Sequence, residues 1–226
     1  MKASGPVCLW VNFRGFNLRL SLAENRWPMC DELMVQDLKP QLQPNLILAG
    51  MMGTGKSALG RQLAHRWQRP FLDTDDLIEK AEGMSVAEIF AKHGEDYFRQ
   101  CEKKILEEKI PSKGAIVACG GGLVVPPGMA ELVRRKGIVI TLFASVETIV
   151  RRTANKTHRP LLIGEDNEKK IRDLMQQREQ AYLNAGIAVY TDGRSLQQLC
   201  LIVERVYERE IPTFVQAHPE LWAKAD

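Results

Sequence analysis

The chain has 226 residues, of which 45% are hydrophobic and 26% charged, and its formal net charge is +3. This length suits one sizeable α/β domain with some additional chain, and the composition is ordinary for a globular protein. The small, scattered positive charge gives no indication of a nucleic-acid partner, and no apolar run approaches the ~20 residues that a transmembrane helix needs.

Residues 1–44 form an N-terminal extension whose structure the sequence predicts least well. Two short apolar runs, residues 7–11 and 16–20, are compatible with strands, and Pro28, Pro40 and Pro44 indicate an irregular approach to the following domain. These runs are too short for a signal peptide, and the acidic residues nearby argue against a transit peptide. The chain has five cysteines without C-x-x-C pairs or metal-ligand spacing, which predicts reduced thiols in a cytoplasmic protein.

A phosphate-binding motif follows, at the point where an alternation of strands and helices begins. Residues 50–57 match G-x-x-x-x-G-K-[ST], between an apolar strand at 45–49 and a predicted helix at 58–67. The N–H groups of such a loop, and the dipole of the helix behind it, attract a phosphate. We expect Lys56 to reach the β- and γ-phosphates of a nucleotide and the Ser57 hydroxyl to bind Mg²⁺.

Two carboxylates follow the second predicted strand, at residues 70–73. Asp73 and Asp75 should lie at the carboxyl edge of the sheet, close to the phosphate-binding loop. One carboxylate is expected to hold Mg²⁺ through water, and the other to accept a proton from an attacking hydroxyl. The structural alternative is a helix cap with a spare acid, because a helix is predicted at 75–82.

A capping box at 85–88 predicts a helix that ends near Gly94, and a long helix over 95–109 comes next. Arg99 and Glu102 share one face of this second helix, three positions apart. They form either a surface ion pair or a pair in which Glu102 orients Arg99 toward an anionic substrate group.

Three consecutive glycines, residues 120–122, follow the third predicted strand at 115–119. Each glycine costs backbone entropy, so three together predict a close approach of backbone to ligand, with a plain structural turn as the alternative. A helix at 128–136 and a fourth strand at 138–143 come next.

The polar, basic segment at about 154–167 follows a helix at 145–153 and has no periodicity. This pattern predicts a lid that closes over the nucleotide and brings Arg159 to the transferring phosphoryl group. Arg178 lies on the next predicted helix, at 168–184. It is either a surface charge or a second arginine that binds the anionic group of the substrate. The last predicted elements are a strand at 187–191, a helix at 195–208 and a C-terminal tail at 209–226.

Five strands separated by helices predict an α/β fold over residues 45–208. The sheet should be parallel, covered by helices on both faces, and its ligands should bind beyond the carboxyl ends of the strands.

The ordered set of motifs resembles the shikimate kinase family of P-loop kinases. The resemblance implies a three-layer P-loop kinase fold with strand order 2-3-1-4-5. It covers about residues 45–208. The motifs that carry it are the phosphate-binding loop, Asp73-x-Asp75 with Ile78-Glu79, Ile89-Phe90 with Gly94-Glu95, Phe98-Arg99-x-x-Glu102, the triple glycine, Arg159-Pro160-Leu161-Leu162 and Arg178-x-x-x-Tyr182.

The family resemblance implies ATP-dependent phosphorylation of the 3-hydroxyl of shikimate, with Mg²⁺ as cofactor, on the route to aromatic amino acids. ATP and shikimate are the expected partners of a cytoplasmic monomer, with no nucleic acid and no membrane. The implied catalytic residues are Lys56, Asp75 and Arg159. The implied nucleotide-binding residues are Gly53, Thr54, Gly55, Lys56, Ser57, Ala58, Arg152, Arg159 and Arg194; the acceptor-binding residues are Asp75, Arg99, Gly121, Gly122 and Arg178; and the metal ligands are Ser57 and Asp73.

Two alternative functions compete with this interpretation. A kinase for another hydroxy acid, such as a gluconate kinase, fits less well with Arg99-x-x-Glu102, the triple glycine and Arg178. A non-catalytic ATP-binding module would be expected to lack Lys56, Asp75 or a substrate arginine, and the chain has all of them.

Overall fold

A computed structural model of the chain describes residues 8–13, 16–21, 43–154 and 167–222. The chain divides into two units, Met1–Asp37 and Leu38–Asp226. The first unit contains an antiparallel pair, β1 (Cys8–Phe13) and β2 (Phe16–Ser21), with Cys8 opposite Ser21 and Phe13 opposite Phe16. Each apolar run of the extension therefore overlaps a strand.

The second unit is built on a five-stranded parallel sheet, in the order β4-β5-β3-β6-β7. Counted within this unit the order is 2-3-1-4-5, which confirms the predicted fold class. Its elements are β3 (Leu46–Gly50), α1 (Lys56–Trp67), β4 (Phe71–Asp73), α2 (Thr74–Glu82), α3 (Val86–Glu108), β5 (Ile116–Ala118), α4 (Met129–Lys136), β6 (Ile138–Phe143), α5 (Val146–Thr153), α6 (Asn167–Ala185), β7 (Ile187–Tyr190), α7 (Leu196–Ala217) and a 3₁₀ helix (Pro219–Leu221).

Helices cover both faces of the sheet, because the strands are apolar on both sides. One face packs against α1 and α7, which also contact each other. The other face packs against α3 to α6 in one continuous core, which contains Ile47, Val117, Val139, Leu106, Val133, Ile149 and Ile171. Among the described residues, no helix combines the length and apolarity needed to span a membrane.

The predicted break near Gly94 is confirmed inside α3. The capping box that opens this helix is complete, since Ser85 and Glu88 each bond the other's backbone N–H. At Gly94 the backbone leaves the helical region, with φ 82° and ψ 179°, so the helix has two segments. The second segment carries Arg99 and Glu102.

The closing helix is longer than the sequence predicts. Instead of ending at Glu208, α7 continues through Pro212 to Ala217. Proline usually ends a helix because it lacks an N–H group and clashes with the preceding turn. Here Ile211 and Phe214 are buried together with Tyr207, and this packing outweighs the local cost.

Candidate active site

The phosphate-binding loop connects β3 to α1, and its own hydrogen bonds hold it in shape. Gly55 caps α1 in the left-handed region, with φ 102°, a conformation that glycine adopts without steric cost. The Thr54 hydroxyl donates to the carbonyl of Met51 at 2.8 Å. Lys56 is buried, and its Nζ donates to the carbonyls of Gly50 at 2.7 Å and Met51 at 2.9 Å. The predicted phosphate-binding ammonium therefore lies within the loop.

Ser57 and Asp73 meet at the carboxyl edge of the sheet. The Ser57 hydroxyl donates to Asp73 Oδ2 at 2.8 Å, and Asp73 Oδ1 accepts the Asp75 N–H at 3.2 Å. Asp73 is thus the cap of α2, and Asp75 lies in the first turn rather than before the helix. Hydroxyl and carboxylate oxygens are the ligands that Mg²⁺ prefers, together with phosphates and water.

These two side chains would fit a magnesium site that the phosphates of a nucleotide would complete. Within the described ranges, no group of three or more His, Cys, Asp or Glu side chains could hold a metal ion. Mg²⁺ in phosphoryl-transfer sites commonly takes only one or two protein ligands. The Ser57–Asp73 pair meets that requirement.

Arg99 is held between two carboxylates on α3. Its Nη1 donates to Glu102 Oε2 at 2.7 Å, and its Nη2 donates to Glu95 Oε1 at 2.6 Å. The Glu102 side chain is completely buried, whereas that of Glu95 is 63% exposed. The structure therefore supports the interpretation in which Glu102 orients Arg99, and it argues against a plain surface pair.

Burial raises the pKa of Glu102 to about 7 from its usual value of 4.5. The Arg99 guanidinium lowers that pKa and the nearby Asp75 carboxylate raises it, so the three groups form one electrostatic cluster. Glu102 Oε1 is buried and has no hydrogen-bond partner among the described residues.

The glycines that follow β5 are anchored from both sides. The Gly120 N–H donates to the buried Thr74 hydroxyl at 2.8 Å, and Tyr182 on α6 donates to the Gly121 carbonyl. The loop therefore lies against the start of α2 and against the helix that carries Arg178. The sequence did not indicate that Thr74 supports the glycine loop, because no motif pairs it with a residue 46 positions away.

The arginines predicted to flank adenine lie beside the phosphate-binding loop. Arg152 Nη1 donates to the Gly53 carbonyl at 3.2 Å and to Thr191 Oγ1 at 3.1 Å. Arg194 is exposed and donates to the carbonyl of Tyr190. A groove of about 420 Å³ joins these side chains to the predicted nucleotide residues Gly53, Thr54, Gly55, Lys56, Ser57 and Ala58.

Arg178 is half-buried on α6, one turn before Tyr182. Burial raises the pKa of the Tyr182 hydroxyl, and the charge of Arg178 pulls the pKa back down, which indicates that the two side chains are close. Arg159 and the rest of the predicted lid, except for its ends, lie outside the described residues. Their predicted roles stay predictions.

Known proteins of one family are similar to this chain in sequence and in fold. The family model for shikimate kinase matches residues 52–209. A shikimate kinase of Caldanaerobacter subterraneus subsp. tengcongensis is 41% identical over 163 residues, which is 72% of this chain and 95% of that protein. A shikimate kinase of Geobacter metallireducens is 41% identical over 71% of this chain and 89% of its own. The shikimate kinase of Acinetobacter baumannii, solved in complex with shikimate, has a TM-score of 0.70 and 35% identity, covering 74% of this chain and 93% of that one.

Proposed function

The chain belongs to the shikimate kinase family, and we propose that it transfers the γ-phosphoryl group of ATP to the 3-hydroxyl of shikimate. The observation that carries the proposal is the cluster beside the phosphate-binding loop. There a buried Glu102 orients Arg99, within electrostatic reach of Asp75. A cation beside a carboxylate suits an acceptor that has both a carboxylate and hydroxyl groups.

The donor half of the proposed site binds the nucleotide. The loop N–H groups and Lys56 neutralise the phosphates, and Ser57 and Asp73 would hold Mg²⁺, which supplies further charge neutralisation when it is bound. Arg152 and Arg194 border the groove in which the adenine would lie. Arg159 is proposed to contact the transferring phosphoryl group.

The acceptor half positions the hydroxyl. Arg99 and Arg178 would bind the shikimate carboxylate, and backbone at Gly121 and Gly122 would line the same pocket. Asp75 would then accept the proton of the 3-hydroxyl while the oxygen of that hydroxyl forms a bond to the γ-phosphorus. The bond from that phosphorus to the bridging oxygen of ADP breaks in the same step, giving ADP and shikimate 3-phosphate.

The main contribution of this arrangement to catalysis is that it orients the acceptor hydroxyl toward the γ-phosphoryl group. Holding acceptor and donor in a reactive geometry supplies up to about 7–11 kcal/mol of barrier lowering in favourable cases. We propose that the protein works as a cytoplasmic monomer. The buried, free thiols of Cys101, Cys119 and Cys200 support a reducing compartment.

Replacing Asp75 by asparagine tests the proposed base. We expect Asp75→Asn to lower kcat by about 10²–10⁴-fold, because the amide cannot accept the hydroxyl proton. The Kd for a fluorescent ATP analogue should stay unchanged, since Asp75 does not line the nucleotide groove. Asp76→Asn is the matched control, because this neighbouring carboxylate is exposed on the same helix and should leave turnover intact. Retained turnover in Asp75→Asn would remove the proposed role.

A further inference from the structure

Two of the three consecutive glycines after β5 face charged side chains of the acceptor site. We infer that Gly120 and Gly122 are positioning residues, whose missing side chains leave the space that the Asp75 carboxylate and the Arg99 guanidinium occupy. The inference rests on the proposed function, because that function makes these two groups the ones that bind the acceptor. It assigns to the glycines a role that is separate from any backbone contact with the ligand.

The space at Gly120 is filled by carboxylate oxygens. A Cβ atom on Gly120 would lie closer to Asp75 Oδ1 than the 3.0 Å below which real Cβ atoms essentially never come. The same atom would lie 3.2 Å from Glu102 Oε1. The backbone at this point is held by the bond from Gly120 to Thr74, so the loop cannot easily retreat. An added methyl group would therefore displace the Asp75 carboxylate.

The space at Gly122 is filled by the guanidinium. A Cβ atom here would lie 2.7 Å from Arg99 Nη1 and 2.8 Å from Nη2. These nitrogens donate to Glu102 and Glu95, respectively. A methyl group would push the guanidinium away from both carboxylates. Because this group ends a long, flexible side chain, the displacement should misorient the guanidinium without unfolding the protein.

Backbone conformation does not explain the glycines at these positions. Neither residue has the positive φ that favours glycine, in contrast to Gly53 and Gly55 of the phosphate-binding loop. A Cβ on Gly121 would meet no charged group at short range, since its nearest neighbour is the backbone nitrogen of Met52 at 3.3 Å. The requirement for glycine at 120 and 122 therefore comes from the side chains that they face.

The test compares Gly120→Ala with Gly122→Ala in the full chain. Gly122→Ala should raise the shikimate Kd, measured by calorimetry, by about tenfold to a hundredfold, the usual effect of losing a charged hydrogen bond. Gly120→Ala should instead lower kcat at saturating shikimate by about a hundredfold, the effect of misplacing a reacting group by about 1 Å. Neither change should alter the Kd of the ATP analogue.

A double substitution separates a role through Arg99 from a general structural role. In an Arg99→Ala background the obstructed group is gone, so Gly122→Ala should cause no further loss of shikimate affinity and no further fall in Tm. The Tm comparison remains informative even if Gly122→Ala alone fails to fold, because Gly122→Ala with Arg99→Ala should then fold as Arg99→Ala does.

Two results would overturn the inference. One is a loss of affinity or stability from Gly122→Ala that persists in the Arg99→Ala background. The other is an identical loss of kcat and shikimate affinity in both single variants. Failure of the proposed function can be distinguished from failure of the inference, because the unsubstituted chain would then release no ADP when shikimate is added.

Discussion

Glu102 is the most deeply buried carboxylate of the acceptor cluster. It is completely buried, one oxygen is bonded to Arg99, and the other has no hydrogen-bond partner among the described residues. Burial raises its pKa to about 7, although the charge of Arg99 and the hydrogen bond from Arg99 both lower that pKa. The folded protein therefore keeps a proton on Glu102 over a pH range in which the unfolded chain releases it.

This difference predicts a pH-dependent stability. Between pH 4.5 and about 7 the folded state holds one proton more than the unfolded state, so stability should fall as the pH rises, by up to about 3 kcal/mol. Above about pH 7 the effect should level off. Glu102→Gln removes the titrating group, so the variant should lose this contribution to the slope. Denaturant unfolding at several pH values between 4.5 and 8 measures the difference.

Glu95→Gln is the control for that experiment. It removes the other carboxylate bound to Arg99, but this side chain is 63% exposed, so the pH slope should match that of the unsubstituted protein. Parallel pH profiles for Glu102→Gln and the unsubstituted protein would contradict the account of Glu102.

Local motifs predicted which side chains form the acceptor cluster but not which residues support the glycine loop beside it. Asp75, Arg99 and Glu102 belong to local motifs, and the family resemblance then assigned Asp75 as the base and Arg99 to the acceptor's carboxylate. Thr74 and Tyr182 hold the glycine loop through bonds that join residues 46 and 61 positions apart, respectively. Such pairings depend on tertiary structure, which local patterns do not encode.

Among the elements, β6 contains one polar residue within an otherwise apolar strand. Thr141 is completely buried, and its hydroxyl has no hydrogen-bond partner among the described residues. It lies opposite Ala49 of β3 and Ala188 of β7, which offer no polar side chain. An unsatisfied hydroxyl in such a position costs about 1–3 kcal/mol.

We therefore expect Thr141→Val to stabilise the protein by about 1 kcal/mol or more, since valine fills the same space without the hydroxyl. Thr141→Ser keeps the hydroxyl and removes a methyl group, and it should destabilise the protein by about 1 kcal/mol. Denaturant midpoints of the two variants measure the effects. A valine variant less stable than the unsubstituted protein would show that the hydroxyl has a partner.

Most elements were predictable because their signals are local. The capping box at Ser85 and the break at Gly94 are confirmed, and β3, β5 and β6 are fully buried apolar runs. The end of α7 was not predictable, because the signal of Pro212 is opposed by burial of Ile211 and Phe214 in the folded chain. Strand order came from the family resemblance, since a strand–helix pattern alone permits several orders.

At the edge of the sheet opposite the candidate site, a buried arginine links several elements by hydrogen bonds. Arg69 donates to the carbonyls of Gly114 and Pro44 and to the Tyr207 hydroxyl, which itself donates to Pro44 at 2.6 Å. Its guanidinium also lies over the rings of Trp67 and Tyr207. This network connects the starts of three strands to α7, and no sequence motif marks it.

Removing the Tyr207 hydroxyl should weaken this network without affecting catalysis. Tyr207→Phe is expected to destabilise the protein by about 1–3 kcal/mol, because buried partners lose a hydrogen bond. Tyr190→Phe is the matched control, since this tyrosine is 59% exposed and should change stability by less than about 0.5 kcal/mol. Both variants should retain kcat at a temperature at which they are folded. Loss of turnover in folded Tyr207→Phe would show that this edge communicates with the site.

Coupled ADP release measures directly which acid is the acceptor. The assay compares shikimate, quinate and gluconate at equal concentrations with ATP and Mg²⁺. We expect clearly faster ADP release with shikimate than with either other acid, because the chain belongs to the shikimate kinase family and Arg99, Arg178 and Asp75 are the groups proposed to bind that acceptor. Equal or faster release with gluconate would contradict it, and so would nucleotide binding without phosphoryl transfer to any of the three acids.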